Sequence, residues 1–252
     1  MATAGAAPPP QPQPRPPETA APGAGAGGRG LAGVMRALIA LTVLSGVVDA
    51  VCYLGLGRVF TANMTGNVVV LGFAAAGAPG FSIPASLTSL LVFLAGAVAG
   101  GRISQYVPRR SRALAVAIWC EAAFVAAAAV VAFLASTVAT GWGRYATIAI
   151  LAFAMGIRNA VIRHLAVPDM TTTVLTQTLT GLAADSFLGG GENPRAGRRI
   201  AAVVAMAAGA AGGAALYLHH GAALPLALSA AAAAATARAL WLSRAAHALD
   251  GT

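Results

Sequence analysis

Asp49 stands in the middle of an apolar run, and twelve residues later the chain reads TANMTGN (61–67). Threonine and asparagine oxygens beside a carboxylate suit the binding of a cation or a proton. The same groups also suit the repair of a broken backbone, since Thr and Asn cap helix starts. Farther on come Arg158 and Asn159, then a second polar stretch, TTVLTQT (172–178). A guanidinium in that position can hold an anionic group or neutralise Asp49. The candidate substrate- or ion-binding residues are therefore Asp49, Asn63, Thr65, Asn67, Arg158, Asn159, Thr172 and Thr176. Glu121, next to Trp119 and Cys120, joins Asp49 as a proton-titratable candidate. For each of them a packing or hydrogen-bonding role is the competing interpretation.

The elements that must position these groups are membrane helices. Only 9% of the 252 residues are charged and 58% are hydrophobic, whereas soluble domains carry about a quarter charged residues. Apolar stretches at about 33–56, 83–101, 113–137, 144–166, 200–220 and 222–242 approach or exceed the roughly 20 residues that cross a bilayer. Asp49 follows Arg36 by 13 residues, about 20 Å along a helix, so its carboxylate lies deep in the hydrocarbon layer. Such groups normally face the protein interior or a cavity. Residues 1–30 form a Pro/Ala/Gly tail with the composition of disordered chain, and 31–245 form the transmembrane domain.

Two further segments, 64–78 and 171–190, are ambiguous: the first is short, and the second carries six threonines and an aspartate. Arginine placement arbitrates. If neither crosses, the loops RISQYVPRRSR (102–112) and ENPRAGRR (192–199) fall on one side with Arg29, Arg36, Arg238 and Arg244. Only Arg58 and Arg144 then lie opposite, which is the asymmetry that cytoplasmic loops impose. The expectation is an all-α bundle of about six spanning helices with two short re-entrant or broken ones, both termini cytoplasmic.

The chain also repeats itself. GVVDAV (46–51) matches GIRNAV (156–161), placing Asp49 against Asn159, and Thr61 and Thr65 match Thr172 and Thr176. Gly96 and Gly100 in one half correspond to Gly209 and Gly213 in the other, spacings that let membrane helices pack closely. The halves, about 33–137 and 144–242, each hold three spans, so the second enters from the opposite face. Inverted repeats with broken helices form a recurrent transporter plan, and under that plan Arg158 and Asn159 face Asp49 at similar depth.

GVVDAVCYLGLGRVFTANMTGN, followed by AMGIRNAVIRH and the threonine-rich stretch, resembles the YoaK-like family of bacterial membrane proteins of unknown function. The resemblance spans roughly residues 33–242 and implies a polytopic protein of the bacterial inner membrane, with no reaction attached. Gln177 stands where the family pattern has a small residue, often Gly. The expected partners are the lipid bilayer and a small solute or ion. The positive charges form no basic face beside stacking aromatics, so nucleic acid is not expected. No cofactor or metal is expected: His219 and His220 lack companions at ligand spacing, and Cys52 and Cys120 lie singly in apolar runs. Nucleophile–base, phosphate-loop and zinc-protease patterns are absent from the sequence, so an enzyme is not expected. Two functions stay open: a small secondary transporter or permease with a polar site between inverted halves, or a non-transporting assembly or regulatory protein whose polar groups only join helices.

Overall fold

The computed structural model describes residues 24–135, 141–165, 175–192 and 196–242. The regular elements among them are all helical: α1 (Ala24–Gly55), α2 (Met64–Ala75), α3 (Ile83–Tyr106), α4 (Arg110–Leu134), α5 (Trp142–Leu165), α6 (Leu175–Ala184), α7 (Ala196–His220) and α8 (Ala223–Leu242), with a single 3₁₀ turn at Phe187–Gly189. Six of these are long and apolar enough to span a bilayer: α1 from Ala32, α3, α4, α5, α7 and α8. α1 begins within the stretch expected to be tail, and residues 1–23 lie outside the described ones.

The outer surface has the chemistry of a lipid-facing wall. Leu91, Leu94 and Val98 on α3, Val130 and Phe133 on α4, Val204 on α7 and Leu228 on α8 are all exposed. A soluble protein rarely leaves so extensive an apolar surface uncovered. The interior is apolar too, with Leu38, Leu41, Val48, Ile118, Leu151, Met155 and Leu226 buried. Four buried hydroxyls inside the spans are satisfied by their own helices: Thr42 donates to the Leu38 carbonyl, Ser45 to Leu41, Thr147 to Gly143 and Ser229 to Pro225. This is the i→i−4 bond available to Ser and Thr. The chain is a multi-pass helical membrane protein.

The two ambiguous segments contain short helices. α2 has 12 residues and α6 has 10, about 18 and 15 Å at 1.5 Å per residue. Neither covers the roughly 30 Å hydrocarbon core. Asn63 is the N-cap of α2, its side-chain oxygen accepting from the Gly66 N–H at 3.4 Å.

Packing follows the glycines. α1 crosses α7 where Gly46 lies against the backbone of Met206, Gly209 and Ala210, while Gly209 and Gly213 lie against Val43 and Val47. α5 crosses α3 in the same way: Gly156 meets Phe93, Gly96 and Ala97, and Gly96 and Gly100 meet Phe153 and Ile157. At each crossing a Cβ would strike backbone atoms of the facing helix, so only glycine allows the approach. The remaining spans, α4 and α8, pack against each other, and each also flanks one crossing, α4 on α5 and α8 on α1.

Candidate functional site

The connection from α1 to α2 is tied down by side chains from four helices. Arg144 Nε, at the start of α5, donates to the Leu56 carbonyl at 2.9 Å. Its guanidinium also occupies the space beside Gly57, whose φ of 94° is left-handed. Asp49 Oδ1 accepts from the Thr61 and Ala62 N–H groups, each at 2.9 Å. Asn67 clamps Phe60 from the other side: its Oδ1 accepts the Phe60 N–H at 2.8 Å, and its Nδ2 donates to the Phe60 carbonyl at 2.6 Å. Ser89 on α3 donates to the same carbonyl at 2.6 Å and accepts from Asn67 Nδ2 at 3.0 Å. Cys52 Sγ and Thr61 Oγ1 close the buried side at 3.6 Å. Backbone groups that no regular helix would satisfy thus receive partners, as they must where water is absent.

Beside this turn lies a cavity of about 480 Å³. Asp49 and Tyr53 from α1, Asn63, Thr65 and Val69 at α2, and Phe60 and Phe81 from the adjoining loops line it. Leu175 and Thr176 of α6 close the opposite wall, with Met206 of α7. The volume falls in the range of small-molecule sites. Asp49 is 4% exposed and supplies the only charge in the lining among the described residues. Its Oδ1 is engaged twice, whereas its Oδ2 is buried without a hydrogen-bond partner among the described residues. Tyr53 and Phe60 stack at 5.0 Å between ring centroids, and Phe73 and Phe81 meet at 5.5 Å.

Four of the residues singled out from sequence, Asp49, Asn63, Thr65 and Thr176, therefore share one cavity. Thr172 lies outside the described residues. Asn67 does not line the cavity, because both ends of its amide are spent on Phe60.

Arg158 and Asn159 do not face Asp49, contrary to the depth expected for them. Asp49 is six residues from the C-terminal end of α1 and Asn159 six from that of α5. If the helices run in opposite directions, equal positions lie on opposite sides of the midplane rather than side by side. Arg158 instead meets α1 one and two turns before Asp49. It donates to the Ser45 hydroxyl and, at 3.4 Å, to the Leu41 carbonyl. Its charge is matched by Glu121 on α4, Nη1 to Oε1 at 2.7 Å, both residues being buried. Glu121 thus faces Arg158 and not the cavity. Asn159 is half-buried on α5 and absent from the cavity lining.

Asp185, just beyond α6, pairs with Arg199 of α7 at 2.7 Å, and the same guanidinium nitrogen donates to the Gly181 carbonyl. This bond ties the C-terminal end of α6 to α7. Gln177 is exposed, whereas its counterpart Gly66 lies against the Phe60 ring, where a Cβ would clash. The glycine is needed only where that ring packs.

Sequence reasoning passed over the aromatic lining. Tyr53 had a signal, since it follows Asp49 by four residues and so shares its helix face. Phe60, Phe73 and Phe81 come from a loop, a short helix and another loop, and no periodicity groups them.

The family model described as a protein of unknown function, DUF1275, matches residues 37–239. The UPF0700 transmembrane protein YoaK of Bacillus subtilis (strain 168) is 32% identical over 150 residues, 59% of this chain. The aligned part spans 65% of that relative's length. No solved structure matches. With the motif at 46–67 inside the matched region, which also takes in most of each of the six apolar spans, the chain belongs to the DUF1275 family of proteins of unknown function.

Proposed function

We propose that this protein is a small secondary transporter or permease for a small solute or ion. The observation that carries the reading is the cavity in which Asp49 meets both short helices, Thr65 from α2 and Thr176 from α6. A polar, solute-sized cavity bounded by interrupted helices is the arrangement that transporters use at the membrane midplane. Asp49 is the coupling or charge-balancing group, with proton coupling as the working form, and the cavity's threonine and asparagine groups orient the solute.

The wider architecture supports this. The two glycine crossings correspond under exchange of the halves: α1 with α5 and α3 with α7, Gly46 with Gly156, Gly96 with Gly209. Each half contributes three spans and one short helix, so the exchange reverses direction through the membrane. We take the protein as an inverted repeat in a bacterial inner membrane with cytoplasmic termini.

The test is solute flux in proteoliposomes across a pH gradient. Asp49→Asn keeps an oxygen for the Thr61 and Ala62 N–H groups but removes the charge. Loss of flux with retained thermal stability is the expected result; unaffected flux removes the coupling role. A second reading, a non-transporting assembly or regulatory protein, is favoured by Asn67, Glu121 and Arg158, which bond to neighbouring helices and turns. Under that reading Asp49→Asn lowers stability and no solute is moved.

A further inference from the structure

We infer that the solute is a small organic cation, an alkyl- or arylammonium, with its charged head at Asp49 and its apolar body against the aromatic wall. This rests on the cavity being a solute site. Three observations carry it.

Among the described residues Asp49 is the only charged one in the lining, and one of its oxygens is a buried acceptor without a donor. A carboxylate buried without a paired charge is unfavourable, and an ammonium entering the cavity offsets that cost. The protein's own cations near this end are engaged elsewhere: Arg158 with Glu121 and Ser45, Arg144 with the Leu56 carbonyl. Neither pairs directly with Asp49, and the charge of Arg158 reaches that carboxylate only from a distance.

The second observation is the wall itself. Tyr53, Phe60, Phe73 and Phe81 line the cavity together with Val69, Val70, Leu175 and Met206. Aromatic faces attract ammonium groups, and the effect strengthens when water is excluded. Arg58, outside the lining, illustrates this on a ring of the wall: its guanidinium stands 5.3 Å from the centroid of the Phe81 ring. An inorganic cation would be better served by a shell of oxygens than by four rings.

The third is the state of the α2 N-terminus. Its positive end would favour an anion, but the protein already places a carboxylate beside it. Asn63 caps the Gly66 N–H, and Asp49 binds the Thr61 and Ala62 N–H groups just ahead of that cap.

The test is calorimetric titration of the purified full-length protein in detergent. The probes are phenyltrimethylammonium, the uncharged N,N-dimethylaniline, benzoate and sodium chloride. Saturable binding of phenyltrimethylammonium alone is expected. Asp49→Asn should weaken it at least about tenfold, the loss of a single charged contact. Phe73→Leu, which leaves the carboxylate and its bonds intact, should weaken it about three- to thirty-fold. If Asp49→Asn does not fold, Phe73→Leu and Tyr53→Leu decide, and unchanged affinity in both overturns the inference. Equal or tighter binding of the neutral amine, benzoate or sodium also overturns it. Uptake of labelled phenyltrimethylammonium into proteoliposomes separates the two claims. Binding without uptake keeps the ligand class and contradicts transport. Asp49-dependent uptake of an anion or neutral solute, with no cation binding, keeps transport and overturns the class.

Discussion

Asp49 does two jobs with two oxygens, and substitutions separate them. Asp49→Ala strands two buried backbone donors at Thr61 and Ala62, and each orphaned group costs about 1–3 kcal/mol. Thermal unfolding of the purified protein should show a loss of about 2 kcal/mol or more for Asp49→Ala and less than about 1 kcal/mol for Asp49→Asn. Similar losses for both variants would mean that the charge itself holds the turn. Asp49, Asn63, Thr65 and Thr176 were legible in the sequence because polar atoms in hydrocarbon are conspicuous. The partner of Arg158 was not. Which carboxylate a guanidinium reaches depends on the rotation and depth of α4 and α5 relative to α1, and spacing along the chain carries neither.

Among the helices, glycine crossings and the buried Arg158–Glu121 pair hold the bundle. Gly209→Ala and Gly96→Ala would each drive a methyl group into a facing carbonyl, Val43 or Phe153. Both should destabilise the protein by about 1–3 kcal/mol, the usual cost of overpacking. Gly212→Ala, with open space at its Cβ, should be neutral or slightly stabilising in the same thermal assay. A neutral result at Gly96 or Gly209 would contradict the close crossings. For the ion pair, Arg158→Leu leaves Glu121 buried and unmatched, a loss of about 3–5 kcal/mol. Combining it with Glu121→Leu should recover most of that stability; no recovery would show that Arg158 matters mainly through Ser45 and Leu41. The six spans were readable from apolar length, the two short segments from arginine placement, and the small-residue spacings from the residues themselves. Which glycine faces which helix was not, because the two crossings join one half of the chain to the other.

For the whole molecule, the central claim is that the Asp49 cavity lies on a route through the membrane between two halves of opposite orientation. Orientation comes first. With Cys52 and Cys120 replaced by Ala, Arg109→Cys and Arg198→Cys should react with impermeant maleimide from the cytoplasmic side, and Ala78→Cys and His220→Cys from the other. Labelling of residue 109 from outside would falsify the inverted arrangement. The most direct measurement of the claim uses Thr65→Cys, exposed on the cavity wall, in the same background. Its reaction with an impermeant methanethiosulfonate is followed in right-side-out and inside-out vesicles. A solute route predicts modification from both faces, with protection by any solute that the cavity binds. Modification from one face only would make the cavity a blind pocket and contradict transport.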